Sequence, residues 1–398
     1  MVGVKETTTL GGAKFFLLLI LMNDTTNRFA PSNGSSFSEN RVIQIDVPSG
    51  SSRFAALSES YLTFDIVASG SGGTAQLLPA TGAYSVIRNF RTIINGQLVD
   101  EIAGANILAN TWLQYSRSDN GISDWRDFQS ATNDDDNTSV TRCIVNPSVL
   151  SGLWSKNSSF PMGLVDSFRI EIELDTANVA LTGITSAAAF TLSNCYLVVK
   201  EKKIPASELD AYTAYLQDQF SSAGVMLNYI AYQRSLNSVG SSQTAPTIDF
   251  QGAAAHEACV ALLTIPVDEA AYQTINNDEK LKGVRDGCQN YQWSIDGNLT
   301  PKQRVSTAKP MPQVAASELA AAFRGVNKRL RDYETVGDAD NLVVGRNLAG
   351  RGRSMDLRGK QVQLNMNLSS PSASKTMYNY CGFIRTLVLK RGSLEIRD

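Results

Sequence analysis

Val86-Ile87-Arg88-Asn89-Phe90-Arg91-Thr92-Ile93-Ile94-Asn95-Gly96-Gln97-Leu98-Val99-Asp100-Glu101-Ile102 is the stretch whose reading decides the fold. Its centre, Asn95-Gly96, is flanked by β-branched and apolar residues. Asn-Gly in that setting is the strongest short-range hairpin signal, because a type I′ turn requires φ > 0 at both central positions. With the turn closed, the spacing predicts that Ile93 faces Leu98, Thr92 faces Val99 and Arg91 faces Asp100. An opposite-charge cross-strand pair contributes roughly 0.2–1 kcal/mol and helps to fix register.

A second arrangement of this kind follows. Tyr291-Gln292-Trp293-Ser294-Ile295 runs into Asp296-Gly297 and out through Asn298-Leu299-Thr300. The turns start 201 positions apart in a chain of 398 residues, so the second hairpin lies about half a chain after the first. One β architecture built twice is the expectation. Asn95, Gly96, Asp296 and Gly297 are accordingly the candidate structural turn residues.

Outward from the hairpins the pattern stays β. Arg41 to Val47 alternates apolar and polar residues and stops at Pro48-Ser49-Gly50; Ser60 to Val67 repeats the period. Phe168 to Leu174 alternates cleanly, and Cys195 to Val199 closes the first unit. Residues 1–40 read as an N-terminal arm, in which Asn27 to Asn40 lacks periodicity and is expected to be loop. A short helix is predicted over Asn106 to Tyr115, with Leu108, Trp112 and Tyr115 on one face. Residues 116–160 are too polar and too long for an ordinary loop and form an elaborated excursion.

Ile204-Pro205 breaks the last strand of the first unit. Ser207 with Asp210 then opens a predicted linker helix, 207–220, striped by Leu209, Tyr212, Leu216 and Phe220. The second unit continues with strands at Val225–Ile230 and Cys259–Val267, the second hairpin and a short helix from Ser317 to Val326. Strands at Gln361–Met366 and Phe383–Leu389 close it. The expected organisation is therefore an arm (1–40), a first unit (41–204) and a second unit (205–398). About eight strands per half is the count of a jelly roll, so the fold class is all-β: two tandem eight-stranded antiparallel jelly rolls with short helices in loops. A parallel α/β fold is disfavoured because helices do not alternate with strands.

Composition agrees with a globular protein, at 43% hydrophobic and 19% charged residues. Residues 1–200 carry 13 basic and 18 acidic side chains, and residues 201–398 carry 23 and 20. Neither balance is large enough to mark a nucleic-acid-binding protein. Five scattered cysteines, Cys143, Cys195, Cys259, Cys288 and Cys381, show no metal-type spacing and read as buried thiols of a reducing compartment. Sequons such as Asn137-Thr138-Ser139 are expected by chance in so Asn- and Ser-rich a chain. The apolar run Phe15–Met22 is far short of the ~20 residues a membrane-spanning helix needs. It lacks a following cleavage site, so it is expected to be covered by protein or to lie against lipid.

The search for chemistry is mostly negative. His256 is the only histidine, which excludes His-rich metal sites and leaves one base for any triad. It is expected to be structural. No GxSxG elbow and no P-loop occurs. Asp134-Asp135-Asp136 lacks the glycine and distal Glu of a calcium loop and reads as a solvated acidic loop. Arg346, Arg351, Arg353, Arg358 and Lys360, opposed by Asp356, form a basic stretch expected to pair with acidic surface rather than phosphate. No catalytic, cofactor or metal residue is assigned.

The order of these segments resembles the double jelly-roll major capsid proteins of the tectivirus–adenovirus lineage, in the flavour of its Polinton-like, adintovirus and virophage branch. The resembling segments are Ser60–Phe64, Ile93–Gly96 with Val99–Ile102, Ile295–Gly297 with Pro301, and Asp356–Val362. The ending Met377–Tyr380, Phe383–Leu387 and Gly392–Glu395 resembles the family too, so the pattern covers roughly 35–398. The resemblance implies a non-enzymatic virion protein that trimerises into pseudo-hexagonal capsomers tiling an icosahedral shell. Its implied partners are itself, neighbouring capsomers and minor or penton capsid proteins, with an internal membrane left open and no sequence-specific nucleic acid. Assembly in a reducing intracellular compartment and no cofactor are implied as well. Three alternatives stand beside it, one of them a receptor-binding structural protein. A carbohydrate-binding jelly roll would use exposed Trp112, Trp125 and Trp154, and a hydrolase on a β scaffold would need acid/base partners that the chain lacks.

Overall fold

The computed structural model describes residues 23–50, 53–115, 140–203, 224–307, 312–331, 340–350, 354–390 and 393–398. The Phe15–Met22 run, the helix expected over 207–220, Trp125, Asp134-Asp135-Asp136, Arg351 and Arg353 lie outside the described residues.

Eight main strands build the first unit: β1 (Asn23–Phe29), β2 (Val42–Val47), β3 (Arg53–Ser71), β4 (Ile87–Ile94), β5 (Gln97–Ala103), β6 (Thr141–Val145), β7 (Phe168–Leu174) and β8 (Ser186–Lys203). One sheet has the order β1-β8-β3-β6 and the other β2-β7-β4-β5. The second unit repeats the count with β9 (Val225–Val239), β10 (Thr247–Asp249), β11 (Cys259–Asp268), β12 (Cys288–Ile295), β13 (Asn298–Ser306), β14 (Val344–Asn347), β15 (Val362–Leu368) and β16 (Lys375–Lys390). Its sheets run β9-β16-β11-β14 and β10-β15-β12-β13. Adding eight to every label of the first unit reproduces the second. The fold is a double jelly roll, and the duplication read from the two turns is a duplication of whole topology.

Ile43 and Ile45 of β2 and Ile170 and Ile172 of β7 are buried at alternate positions, as period-2 side-chain geometry demands, whereas β3 from Leu62 to Ile66 and β11 from Cys259 to Val267 are buried on both faces. Trp154 plugs the first core, edge-on to Phe90 and Phe168 at 5.9 and 6.0 Å, with its indole N–H donated to Thr92 Oγ1 at 3.0 Å. Trp293 serves the second core against Phe250 at 5.1 Å.

Both turns have the left-handed geometry of a type I′ pair. Asn95 and Gly96 have φ of 51° and 75°, and Asp296 and Gly297 have 52° and 74°. A Cβ on either glycine meets nothing within 4 Å, so a substitution there is opposed by backbone strain alone. Gly96→Val and Gly297→Val are each expected to cost ~1–3 kcal/mol and lower the melting temperature in calorimetry. Asn95→Asp should melt like the parent, because Oδ1 of Asn95 serves as an acceptor for the Asp166 and Ser167 amides at 2.8 and 3.2 Å. Wild-type melting of both valine variants would contradict the turn assignment.

Three expectations are corrected. Ile93 does face Leu98, but β5 then carries an extra residue, so Thr92 lies opposite Asp100 and Arg91 opposite Glu101. Arg91 forms ion pairs with Glu101 at 2.7 Å and Glu173 at 3.3 Å, and Asp100 is not its partner. A bulge breaks strict alternation, which is how the successive residues Val99 and Asp100 are both buried. Second, Asn27–Asn40 is not all loop. β1 pairs along Leu197–Lys203, and Ser36–Ser38 pairs with Thr191–Ser193. An edge strand bonded on one side only needs no apolar alternation, so Asn, Thr and Arg suffice and the sequence gives no signal. Third, the second helix spans Pro312–Gly325, starting well before Ser317 because proline is pre-organised for a first helical turn.

Candidate assembly surfaces

The helices sit at equivalent places: α1 (Ala105–Tyr115) follows β5, and α2 (Pro312–Gly325) follows β13. Each hairpin therefore ends its sheet with an edge strand and then a helix. An edge strand presents backbone groups with no ladder partner, and at β5 the second unit supplies the donors. The carbonyl of Val99 accepts from Tyr229 Oη at 2.7 Å and Arg385 Nη1 at 2.9 Å. Tyr380 Oη donates to the carbonyls of Ala103 and Gly104 at 3.2 and 3.1 Å. A Cβ on Gly104 would lie 2.7 Å from that hydroxyl, and one on Gly152 would lie 2.1 Å from the carbonyl oxygen of Ile230. The two units meet as closely as glycine allows.

Beyond the strand edge, α1 joins the seam. Asn110 Nδ2 donates to the Leu281 carbonyl at 3.1 Å, and Trp112 meets Phe323 of α2 edge-on at 4.9 Å. The Lys328 ammonium lies 5.8 Å from the Trp112 ring centre and donates to the Val149 carbonyl at 2.8 Å. Lys280, buried, donates to the carbonyls of Asn178, Leu181 and Ile275 at 2.6, 2.5 and 3.0 Å. Three acceptors match the three donors of an ammonium.

Asp100 is the buried acid of this seam. Its Oδ2 accepts from Ser151 Oγ, while Oδ1 has no hydrogen-bond partner. Burial raises its pKa to about 6, against the opposing pull of the Ser151 hydrogen bond and the Arg385 charge. Arg385 also forks onto Asp398, donating from Nη2 to Oδ2 at 2.8 Å, and the neighbouring Tyr229 hydroxyl is pushed well above its ordinary pKa by burial.

The other residues singled out in the sequence are structural in placement. His256 is buried, stacked on Phe383 with ring centres 3.6 Å apart, and its Nε2 lies 2.7 Å from Gln233 Oε1. Burial lowers its pKa. All five cysteines are buried thiols. In the basic stretch, Arg346 pairs with Glu318 at 2.6 Å, and Arg358 pairs with Asp356 and Glu257 at 2.8 and 3.2 Å. Trp112 and Trp154 are both buried, so neither offers a sugar-stacking platform. Among the described residues no group of His, Cys, Asp and Glu side chains is arranged to hold a metal.

The sequence marked Asp100 as a cross-strand partner and Trp112 as part of a helix stripe, but neither as a seam residue. Lys280 and Lys328 sit in polar segments where a lysine carries no signal. Arg385 had one: it interrupts an apolar strand, and a charge there requires a buried partner.

No family model matches the chain, and no curated protein does. Solved structures do. PBCV-1 VP54, fitted into a reconstruction of the virophage Sputnik, is similar with a TM-score of 0.64 and 10% identity, covering 95% of this chain and 97% of that one. The Faustovirus major capsid protein gives 0.62 and 8% identity, with coverage of 98% and 93%. The mavirus major capsid protein gives 0.52 and 8%, with coverage of 94% and 90%. At such identities the likeness establishes the double jelly-roll fold over nearly the whole of each chain.

Proposed function

We propose that this chain is a viral major capsid protein whose role is structural rather than catalytic. Three copies associate into a pseudo-hexagonal capsomer, and capsomers tile an icosahedral shell. The observation that carries the reading is one polypeptide holding two topologically identical rolls fused through a dense polar and aromatic seam, matched end to end by the capsid proteins above. A jelly roll is flat-sided, so two fused rolls make a wedge that three copies close into a block. Partners are further copies of itself and minor capsid proteins at the vertices. The buried thiols suit assembly in a reducing compartment.

Light scattering on the native protein should give a mass near three times 43.1 kDa, with an interface burying well over ~2,000 Å². A stable folded monomer at micromolar concentration would count decisively against a capsomer. The apolar Phe15–Met22 run suits an assembly role, since so much apolar surface left in water drives association. Deleting residues 1–22 should leave a soluble β protein that forms shells poorly in electron micrographs; normal shells would show the arm to be dispensable.

A further inference from the structure

We infer that a cavity in the seam between the two rolls, flanked by Lys156 and Lys328, binds a phosphate dianion, either free or as the terminal group of a small phosphorylated metabolite.

The cavity has a volume of about 50 Å³ and is walled by both rolls. Ser151, Ser155 and Lys156 line it from the first roll, and Tyr232, Asn327 and Lys328 from the second. No acidic side chain lines it. At about 10–15 Å³ for one water-sized centre, the space holds a group of a few heavy atoms. Ser155, Lys156 and Asn327 are exposed, so the mouth opens to solvent.

Lys328 is the observation that points to a ligand. Lys280 satisfies its three donors with three carbonyls, whereas the half-buried Lys328 ammonium has one, Val149, and the Trp112 ring face. The nearby carbonyls at the end of α2 are already engaged. Ala322 accepts from the Val326 amide at 3.3 Å, Phe323 from the Lys328 amide at 2.8 Å, and Arg324 from the Asn327 amide at 3.1 Å. Burial is the one cause that moves the Lys328 pKa, lowering it to about 8, so no acid offsets the charge. A cation in that position with idle N–H donors is unfavourable until an acceptor of opposite charge fills the space beside it. The flanking sequence supplies none: Ser151–Ser159 and Gly325–Arg331 contain no Asp or Glu.

The charge and the donors select the anion. Lys156 adds a second ammonium at the mouth, and the Tyr232 hydroxyl, kept protonated by burial, is a further donor on the wall. A phosphate group carries about −1.5 to −2 at neutral pH and offers three strong acceptor oxygens. A carboxylate or a chloride brings a single charge and would leave one ammonium unbalanced. Phosphate held by both rolls also fastens them together, because a ligand that binds only the folded state stabilises it by mass action.

The test is isothermal titration calorimetry of the full chain with inorganic phosphate at constant ionic strength. A saturable isotherm with one site per chain is expected, and chloride should give none. Lys156→Gln changes an exposed side chain and leaves the core untouched, yet it should weaken phosphate at least about tenfold, the scale of one lost charge-assisted contact. Lys328→Met should abolish saturation. Adenosine monophosphate separates the sources: saturable binding of it too assigns the site to a metabolite's terminal phosphate, and binding of phosphate alone assigns it to the free ion. Failure of both to saturate overturns the site. So does an affinity unchanged in Lys156→Gln and Lys328→Met, which would place the anion elsewhere. Binding of a single-stranded oligonucleotide, whose internal phosphates are singly charged diesters, without binding of either monoester overturns it as well.

Discussion

Lys280→Met should be among the most damaging single substitutions in the chain, costing roughly 3–5 kcal/mol of stability. Lys280 is 1% exposed, and its ammonium donates to three backbone carbonyls, two of them, Asn178 and Leu181, in the first roll and one, Ile275, in its own. Methionine matches the stem in length and fills the space, so no cavity is created. What changes is that three carbonyls lose their donor at once. Each buried acceptor left unpaired costs about 1–3 kcal/mol. Asn178 and Ile275 are only partly buried at these contacts and regain some hydration, which holds the total below the simple sum. Urea unfolding followed by tryptophan fluorescence measures the loss as a lower midpoint. A loss below about 1 kcal/mol would mean that the ammonium is not holding the two rolls together.

Much of the architecture was legible in the sequence, and the reason is local. Asn95-Gly96 and Asp296-Gly297 must adopt φ > 0 at both positions, and Phe168–Leu174 alternates with the sheet it enters, so short-range chemistry and tertiary structure agree there. The seam was not legible, because its chemistry joins residues far apart in the chain. Tyr380 finds Ala103 at a separation of 277 residues and Arg385 finds Val99 at 286. Nothing in the neighbourhood of Lys280 marks it as buried. The register at β5 failed for a related reason. Strict alternation places one of each successive pair in solvent, and only the second roll, packed over the edge strand, makes it favourable to bury Val99 and Asp100 together.

Asp100 makes that seam sensitive to pH, and the sign can be worked out. Its carboxyl titrates near pH 6 in the fold, raised by burial from the ordinary 3.8, so between those values the folded chain holds a proton that the unfolded chain has released. A group of this kind contributes stability that is full below about pH 4 and is lost as pH rises through 6. At 1.36 kcal/mol per pKa unit the loss is about 3 kcal/mol. Asp100→Asn removes the titration and keeps the shape. The stability difference between variant and parent is therefore expected to move by about 3 kcal/mol in favour of the variant between pH 4 and pH 7.5. Comparing the two proteins at each pH cancels the other titrating groups, including His256, whose lowered pKa acts in the opposite direction. Parallel urea titrations at equal protein concentration supply the comparison, and a difference that stays constant across the range would mean that Asp100 does not carry its charge into the seam. If the shift is found, the charged carboxylate of Asp100, with one oxygen unpartnered beside the Tyr229 and Arg385 contacts to Val99, is a group that lowers the stability of the folded chain at neutral pH relative to pH 4.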